Sequence, residues 1–279
     1  MKNPIYPCLW FDGKAKEAAE LYGSVFHHAK IITDTPMVVE FELCGKKFMG
    51  LNGGPVFKVN PSVSFFVLFP TVEETNTAWN KLIDGGKALI PIGKQPWSEW
   101  YGWLEDKFGV TWQLAINDKP AGQQTLTPCL LYTGNKFGKA EEAVQFYTKL
   151  FQNSAVDLMI CYPQDDPNAG KVMYSEFNLD GYKMIAMDGP GEHKHSFNEG
   201  VSFVLICHNQ QEIDFFWNTL TKDGGAESMC GWLVDKFGLW WQIIPAKLGQ
   251  LMTQPGKGQN VMKELMKMKK IDLQVLEEA

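Results

Sequence analysis

Asp106-Lys107-Phe108-Gly109-Val110-Thr111-Trp112-Gln113 returns as Asp235-Lys236-Phe237-Gly238-Leu239-Trp240-Trp241-Gln242, identical at six of eight positions. A match this long in one chain means an internal repeat, and repeats decide the architecture before any local reading does. Working back from it, Trp79-Asn80 pairs with Trp217-Asn218, Val63-Ser64-Phe65 with Val201-Ser202-Phe203, and Glu40-Phe41-Glu42-Leu43 with Glu176-Phe177-Asn178-Leu179. Near the starts of the two copies, Lys14-Ala15-Lys16-Glu17-Ala18 pairs with Lys139-Ala140-Glu141-Glu142-Ala143, and Pro7-Cys8-Leu9-Trp10 with Pro128-Cys129-Leu130-Leu131. The matches are collinear, so the halves share a fold. The expected division is 1-122, 123-256 and a C-terminal helix over 257-279 whose apolar residues include Val261, Leu265, Met268 and Val275.

Within each copy the periods are clear. Ala15, Ala18, Ala19, Tyr22, Val25 and Phe26 recur at helical spacing, with Asp12 as a candidate N-cap, and Ala140, Ala143, Val144, Tyr147, Leu150 and Phe151 repeat the stripe. A second helix per copy is expected after Pro70 and after His208. Short strands are expected at 5–11, 38–43, 46–51, 63–69 and 110–116, with Cys44-Gly45-Lys46 as a hairpin turn. Strand, helix and three strands, then the same again, reads as α+β with helices outside a mostly antiparallel sheet. The first copy alone carries an insert, Lys87 to Tyr101.

The chain has 279 residues, 45% hydrophobic and 21% charged, a composition that can bury real cores. A net charge of −6, without an extended basic face, argues against nucleic acid as a partner. No apolar run approaches the roughly 18 to 20 residues of a membrane span, and Met1-Lys2-Asn3-Pro4 leads straight into a strand, so no membrane partner and a cytoplasmic location are expected. Six scattered cysteines without a C-x-x-C spacing give no disulfide framework, and Cys8, Cys129 and Cys207 read as small buried hydrophobes.

Cys8-Leu9-Trp10-Phe11-Asp12-Gly13, Leu51-Asn52-Gly53-Gly54-Pro55, the Asp-x-Phe-Gly-x-x-Trp-Gln signature and Met266-Lys267-Met268-Lys269-Lys270-Ile271-Asp272 resemble the PhnB-like group. That group carries the label 3-demethylubiquinone-9 3-methyltransferase and lies within the vicinal oxygen chelate (glyoxalase/bleomycin-resistance) superfamily. The resemblance implies tandem glyoxalase-like domains, each of two βαβββ modules forming a curved eight-stranded mixed sheet with helices on the convex face. It also implies an internal pseudo-dimer, with a homodimer as the further option. Superfamily enzymes hold a divalent metal on His and Glu side chains at four strand positions. Carried over, those positions are Pro7, Gly50, Ser64 and Gln113, then Pro128, Ala186, Ser202 and Gln242. None offers an anionic oxygen or an imidazole, so neither metal nor cofactor is expected.

Alternation then suggests which side chains face each cleft. In the first copy these are Phe11, Leu9, Asn52, Ser64, Phe66, Thr111 and Gln113; in the second, Tyr132, Asp188, Ser202, Trp240 and Gln242, with His193 and His195 on a nearby loop. The segment Pro96-Trp97-Ser98-Glu99-Trp100-Tyr101 is either a hairpin packed on the sister domain or an aromatic lid that brings Trp100 and Tyr101 to a planar ligand. The expected function is metal-independent binding of a small hydrophobic or aromatic molecule. The alternative is an enzyme, either a lyase or isomerase with Asp188, Tyr132 and His195 as the acid–base set, or the methyl transfer of the label.

Overall fold

The computed structural model describes residues 4–117 and 123–279. The expected boundary at 122 and the reading of Met1-Lys2-Asn3 therefore fall outside the described residues. Four βαβββ modules follow one another. The first is β1 (Ile5–Phe11), α1 (Ala15–Val25), β2 (Lys30–Asp34), β3 (Val38–Leu43) and β4 (Lys46–Asn52). The second is β5 (Val63–Phe69), α2 (Val72–Leu82), β6 (Lys87–Gln95), β7 (Ser98–Glu105) and β8 (Thr111–Ile116). The third is β9 (Thr125–Tyr132), α3 (Ala140–Leu150), β10 (Ala155–Cys161), β11 (Val172–Leu179) and β12 (Tyr182–Asp188). The fourth is β13 (Val201–Cys207), α4 (Gln210–Leu220), β14 (Ala226–Glu227), β15 (Trp232–Val234) and β16 (Trp240–Pro245), and α5 (Leu248–Thr253), α6 (Gly258–Leu265) and α7 (Leu273–Glu278) follow.

The strands form two eight-stranded mixed sheets, neither of them a closed barrel. In each module the first and last strands pair in parallel, as in Phe65↔Trp112 of β5 and β8, because the helix carries the chain across between them. One sheet runs β10-β11-β12-β9-β5-β8-β7-β6 and the other β14-β15-β16-β13-β1-β4-β3-β2. Each sheet is thus two modules, as expected, but modules two and three share one sheet and modules one and four the other. The halves of the sequence repeat do not each close a sheet. The antiparallel pairing of β5 with β9, Ser64↔Cys129, joins modules two and three. By contact density the chain divides into Pro7–Val201 and a unit built on Ser202–Ala279 with the beginning of β1.

Within the Pro7–Val201 unit, the apolar stripe of α1 puts Ala15, Ala18, Ala19 and Tyr22 inside. Tyr22 and Trp112 meet edge to face at 4.9 Å between ring centroids, Phe65 lies 5.3 Å from Trp112, and Phe41 stacks on Phe48 at 5.4 Å. Tyr22, Phe41, Phe48, Phe65 and Trp112 are all at most 1% exposed. Each contributes about 2–3 kcal/mol of apolar burial, which makes this aromatic cluster the main fastening of helix to sheet. Gly50 is required where α1 crosses β4, since a Cβ there would stand 2.9 Å from the Cβ of Ala15.

The repeated signature proves to be a turn lock. Asp106 Oδ1 accepts from the N–H groups of Phe108 (2.8 Å) and Val110 (3.1 Å), and Oδ2 accepts from Trp112 Nε1 and Tyr22 Oη, both at 2.9 Å. Gly109 takes φ +87°, a left-handed value that favours glycine, and donates to the Asp106 carbonyl. Asp235 repeats the pattern with Phe237, Leu239 and the Trp241 indole at 2.9, 3.1 and 2.9 Å. Burial lifts the Asp106 carboxyl to about 6, against the hydrogen bonds from Trp112, Tyr22, Phe108 and Val110, which favour its charge. The Asp-x-Phe-Gly-x-x-Trp part of the signature is therefore a folding device.

Two local expectations need correction. Asp12 does not cap α1; Asn52 at the end of β4 does so from a distance, its Oδ1 accepting from Ala15 N at 2.9 Å. The C-terminal helix is two short helices, α6 and α7, parted at Met268 and Lys269. There the backbone carbonyls accept from Cys230 N (2.7 Å) and Gly231 N (2.8 Å), which a continuous helix would forbid, and Asp272 then caps α7 through Val275 N. Val275 is 38% exposed and is not a core residue. The first-copy insert is the hairpin of β6 and β7, which lengthens its sheet at the edge.

Candidate functional site

Alternation splits each strand between a face under the helices and a helix-free face. Phe65, Trp112 and Gly50 mark the first, because they touch the aromatic core or α1. Their sequence neighbours Ser64, Phe66 and Gln113 take the second, where the cross-strand register adds Cys129 opposite Ser64 and Trp103 opposite Gln113. The expected inward placement of Ser64, Phe66, Thr111 and Gln113 agrees with this face.

A polar chain runs along it. Tyr101 Oη donates to Gln113 Oε1 at 2.7 Å, and Gln113 Nε2 donates to Ser64 Oγ at 2.7 Å. Ser64, Gln113 and Tyr101 are buried, and Cys129 beside them is fully buried. Burial pushes the Cys129 thiol up to about 12, opposed in part by hydrogen bonding with Ser64 and Gln113, so at neutral pH it is a thiol. The Tyr101 phenol is likewise raised, by burial first and then by Cys129. Next to this chain the buried Trp103 Nε1 has no hydrogen-bond partner among the described residues. A buried N–H without an acceptor costs about 1–3 kcal/mol, so its presence calls for an account.

Beyond β9 and β12, the same face carries a pair that sequence reasoning missed. Tyr174 Oη donates to Glu176 Oε1 at 2.8 Å on β11. Burial, then Glu176, then Cys129 raise the Tyr174 phenol, so it keeps its proton as Tyr101 does. A signal was available: in Glu176-Phe177-Asn178-Leu179, Phe177 and Leu179 are core, so Glu176 and Asn178 must face the other way.

In the Ser202–Ala279 unit the counterpart is simpler. Gln242 Nε2 donates to Ser202 Oγ at 3.0 Å, and Trp240 meets Trp232 at 6.4 Å between centroids. β15 has three residues where β7 has eight, and the position that repeats Tyr101 is Cys230, which has no phenol to offer Gln242.

The remaining expected residues lie elsewhere. Phe11 is in the core against Phe108, on the helix side with Leu9, and Asn52 is occupied as the cap of α1. The Trp100 indole donates to Asn76 Oδ1 of α2 at 2.9 Å, so of the insert only Tyr101 joins the polar chain, while Trp97 is 66% exposed. Asp188 matches Asn52: Oδ1 accepts from Gly138 N (2.8 Å) and Ala140 N (3.2 Å), and Oδ2 from Val172 N (2.9 Å). Tyr132, opposite Asp188 in the register, is fully buried and packs on Phe197. His195 Nδ1 lies 3.1 Å from Ser62 Oγ and its carbonyl accepts from Thr133 Oγ1. Burial and then neighbouring His193 lower the His195 imidazole, which favours its neutral form. Asp188, Tyr132 and His195 are thus held by backbone and core contacts and do not meet on the helix-free face.

The metal positions of the superfamily are no better supplied. Pro7, Gly50, Pro128 and Ala186 fall on the helix side by alternation with Phe11, Phe65 and Asp188. Ser64 and Gln113 spend their oxygens on each other and on Tyr101, and a hydroxyl, an amide and a protonated thiol make a poor donor set for a divalent ion.

A sequence model of the family described as 3-demethylubiquinone-9 3-methyltransferase matches residues 3–115 and 124–244. No curated protein matches the chain. Among solved structures, a PhnB protein of Bacillus cereus described with the same methyltransferase name is 35% identical over 39% of this chain and 96% of its own, with a TM-score of 0.38. A Staphylococcus aureus protein is 34% identical over 42% of this chain and 98% of its own, with a TM-score of 0.19. Glyoxalase I from Zea mays covers 94% of this chain and 96% of its own at a TM-score of 0.57, and at 10% identity that likeness is one of fold. Two family segments, each followed through helix, sheet and signature turn, make this chain a two-domain, glyoxalase-like member of the 3-demethylubiquinone-9 3-methyltransferase family, of PhnB type.

Proposed function

We propose that the chain binds a small organic molecule, without a metal, on the helix-free face built by β5, β7, β8, β9 and β11. The observation that carries this reading is the buried Trp103 Nε1, which has no acceptor among the described residues and stands opposite Gln113 in the register. A ligand carbonyl or carboxylate oxygen satisfies it, while Phe66 and Tyr101, 6.2 Å apart between centroids, supply an aromatic wall for a planar body. The chain Tyr101–Gln113–Ser64 is already satisfied and so serves as a fixed frame rather than a mobile contact. Native mass spectrometry of protein purified without chelator should show a retained organic mass that Trp103→Phe loses or reduces. An identical retained mass in wild type and variant, or stoichiometric metal in both, would sink the reading.

A second reading has its own support. Glu176 hydrogen-bonded to Tyr174 is a carboxylate and phenol on the ligand face, the groups that acid–base chemistry needs. If the bound molecule is turned over, Glu176→Gln abolishes product formation while retaining the bound mass, and Asp188→Asn leaves the chemistry in place in whatever fraction folds.

A further inference from the structure

Apart from that face, two buried hydrogen-bond donors lack an acceptor among the described residues, and a lysine ammonium lies against the ring of one of them. Gln124 is buried, and its Oε1 accepts from His27 N at 2.6 Å and from Cys44 Sγ at 3.1 Å, while Cys44 N donates to the His27 carbonyl at 2.8 Å. These contacts fix the amide orientation, since turning it over would set an NH2 against the His27 N–H. Among the described residues Gln124 Nε2 is then a buried donor without a partner, and so is the phenol hydroxyl of Tyr182. The Lys46 ammonium stands 4.4 Å from the centroid of the Tyr182 ring.

The two residues are counterparts. Lys46 follows the turn Cys44-Gly45, and Tyr182 follows Asp180-Gly181, at the same place in the two copies. The repeat has therefore brought like positions together and diverged into an ammonium and an aromatic ring. Among the described residues Lys46 has no carboxylate partner, and burial, then neighbouring Lys183, lower its ammonium to about 8. Cys44, two residues before Lys46, bonds to Gln124, and among the described residues no anion pairs with the Lys46 ammonium, the Gln124 amide N–H or the Tyr182 phenol.

We propose that Lys46, Tyr182 and Gln124 form a binding site for a small oxyanion, a carboxylate or a phosphate. An oxyanion offers only acceptors, which is what the orphaned amide and phenol lack, and its charge offsets the repulsion between Lys46 and Lys183. The site is distinct from the helix-free face and does not depend on what binds there.

The test is isothermal titration of the full-length protein with sodium phosphate and, separately, sodium acetate, at an ionic strength held constant with sodium chloride. One anion bound per chain is expected, with Lys46→Met weakening it about tenfold or more, the scale of a lost charged hydrogen bond. Tyr182→Phe keeps the ring and the fold and removes only the hydroxyl, and should weaken binding several-fold. Tighter phosphate or tighter acetate identifies the ligand class, and either supports the site. No binding of either anion, or unchanged affinity in Lys46→Met or in Tyr182→Phe, overturns it.

Discussion

The two Ser–Gln pairs of the helix-free faces began as the same residues and now differ in their surroundings. Gln113 bonds Ser64 and is held at its other end by Tyr101, whereas Gln242 bonds Ser202 where β15 has stopped after three residues. Beyond β15, residues 230 and 231 pair with the carbonyls of Met268 and Lys269 instead of continuing a hairpin. The lesson is that one hairpin length decides what a cleft can recognise. Both strands set an indole opposite the glutamine, Trp103 or Trp232, but only the long β7 adds a phenol; the short β15 leaves its edge to the C-terminal segment.

The strongest way to break the comparison is to remove what both copies share. Asp106→Ala strands two backbone N–H groups, an indole and a phenol, and should cost about 3–5 kcal/mol, read from the urea midpoint. Asp235→Ala should fall in the same range, and a loss under about 1 kcal/mol at either site would refute the turn-lock account.

Next in size is a pH effect. The Asp106 carboxyl is raised to about 6 in the fold, above an unfolded value near 4, so the folded chain holds the proton more tightly. The contribution is fully present below about pH 4 and is lost as pH rises through 6, by about 3 kcal/mol at most. The difference in stability between wild type and Asp106→Asn across that interval should show this slope; a flat difference refutes it.

Tyr101→Phe sharpens the contrast itself, because it gives the first pair the barer setting of the second. Leaving the buried Gln113 Oε1 without its donor should cost about 1–3 kcal/mol, measured by thermal unfolding, and should weaken retention of any ligand that Trp103 holds. The smallest change is expected at the exposed Lys270–Asp214 pair, 2.6 Å apart, where the Lys270 hydrogen bond lowers the Asp214 carboxyl. Asp214→Asn should cost roughly 0.2–1 kcal/mol, less at high salt.

Much of this architecture is legible in the residues. The Ala and Tyr stripes of α1 and α3, the strands around Phe41, Phe65 and Trp112, and the facing of Ser64 and Gln113 all follow from local period. What escapes is long-range. Asn52 and Asp188 read as cleft residues because each ends a strand beside a glycine turn, yet each reaches back to the first turn of a helix, 37 and 48 residues away. No periodicity reports such a partner. The expectation for Phe11 fails for a related reason, since β1 is apolar on both faces and alternation has nothing to grip. The break at Met268 lies in main-chain bonding to residue 230, to which a hydrophobic stripe is blind.

The nested pairing of modules bears on how the chain is made. Modules two and three are adjacent in sequence and can close their sheet as soon as residue 188 has left the ribosome. The first module cannot do the same, because β1 waits for β13 while residues 53–200 are synthesised. At about 5–20 residues per second that delay is on the order of ten seconds, during which β1, apolar on both faces, keeps an open edge. Contacts of such sequence separation also slow refolding. The nascent N-terminal module is therefore where a chaperone is most needed, and where truncated chains should aggregate first.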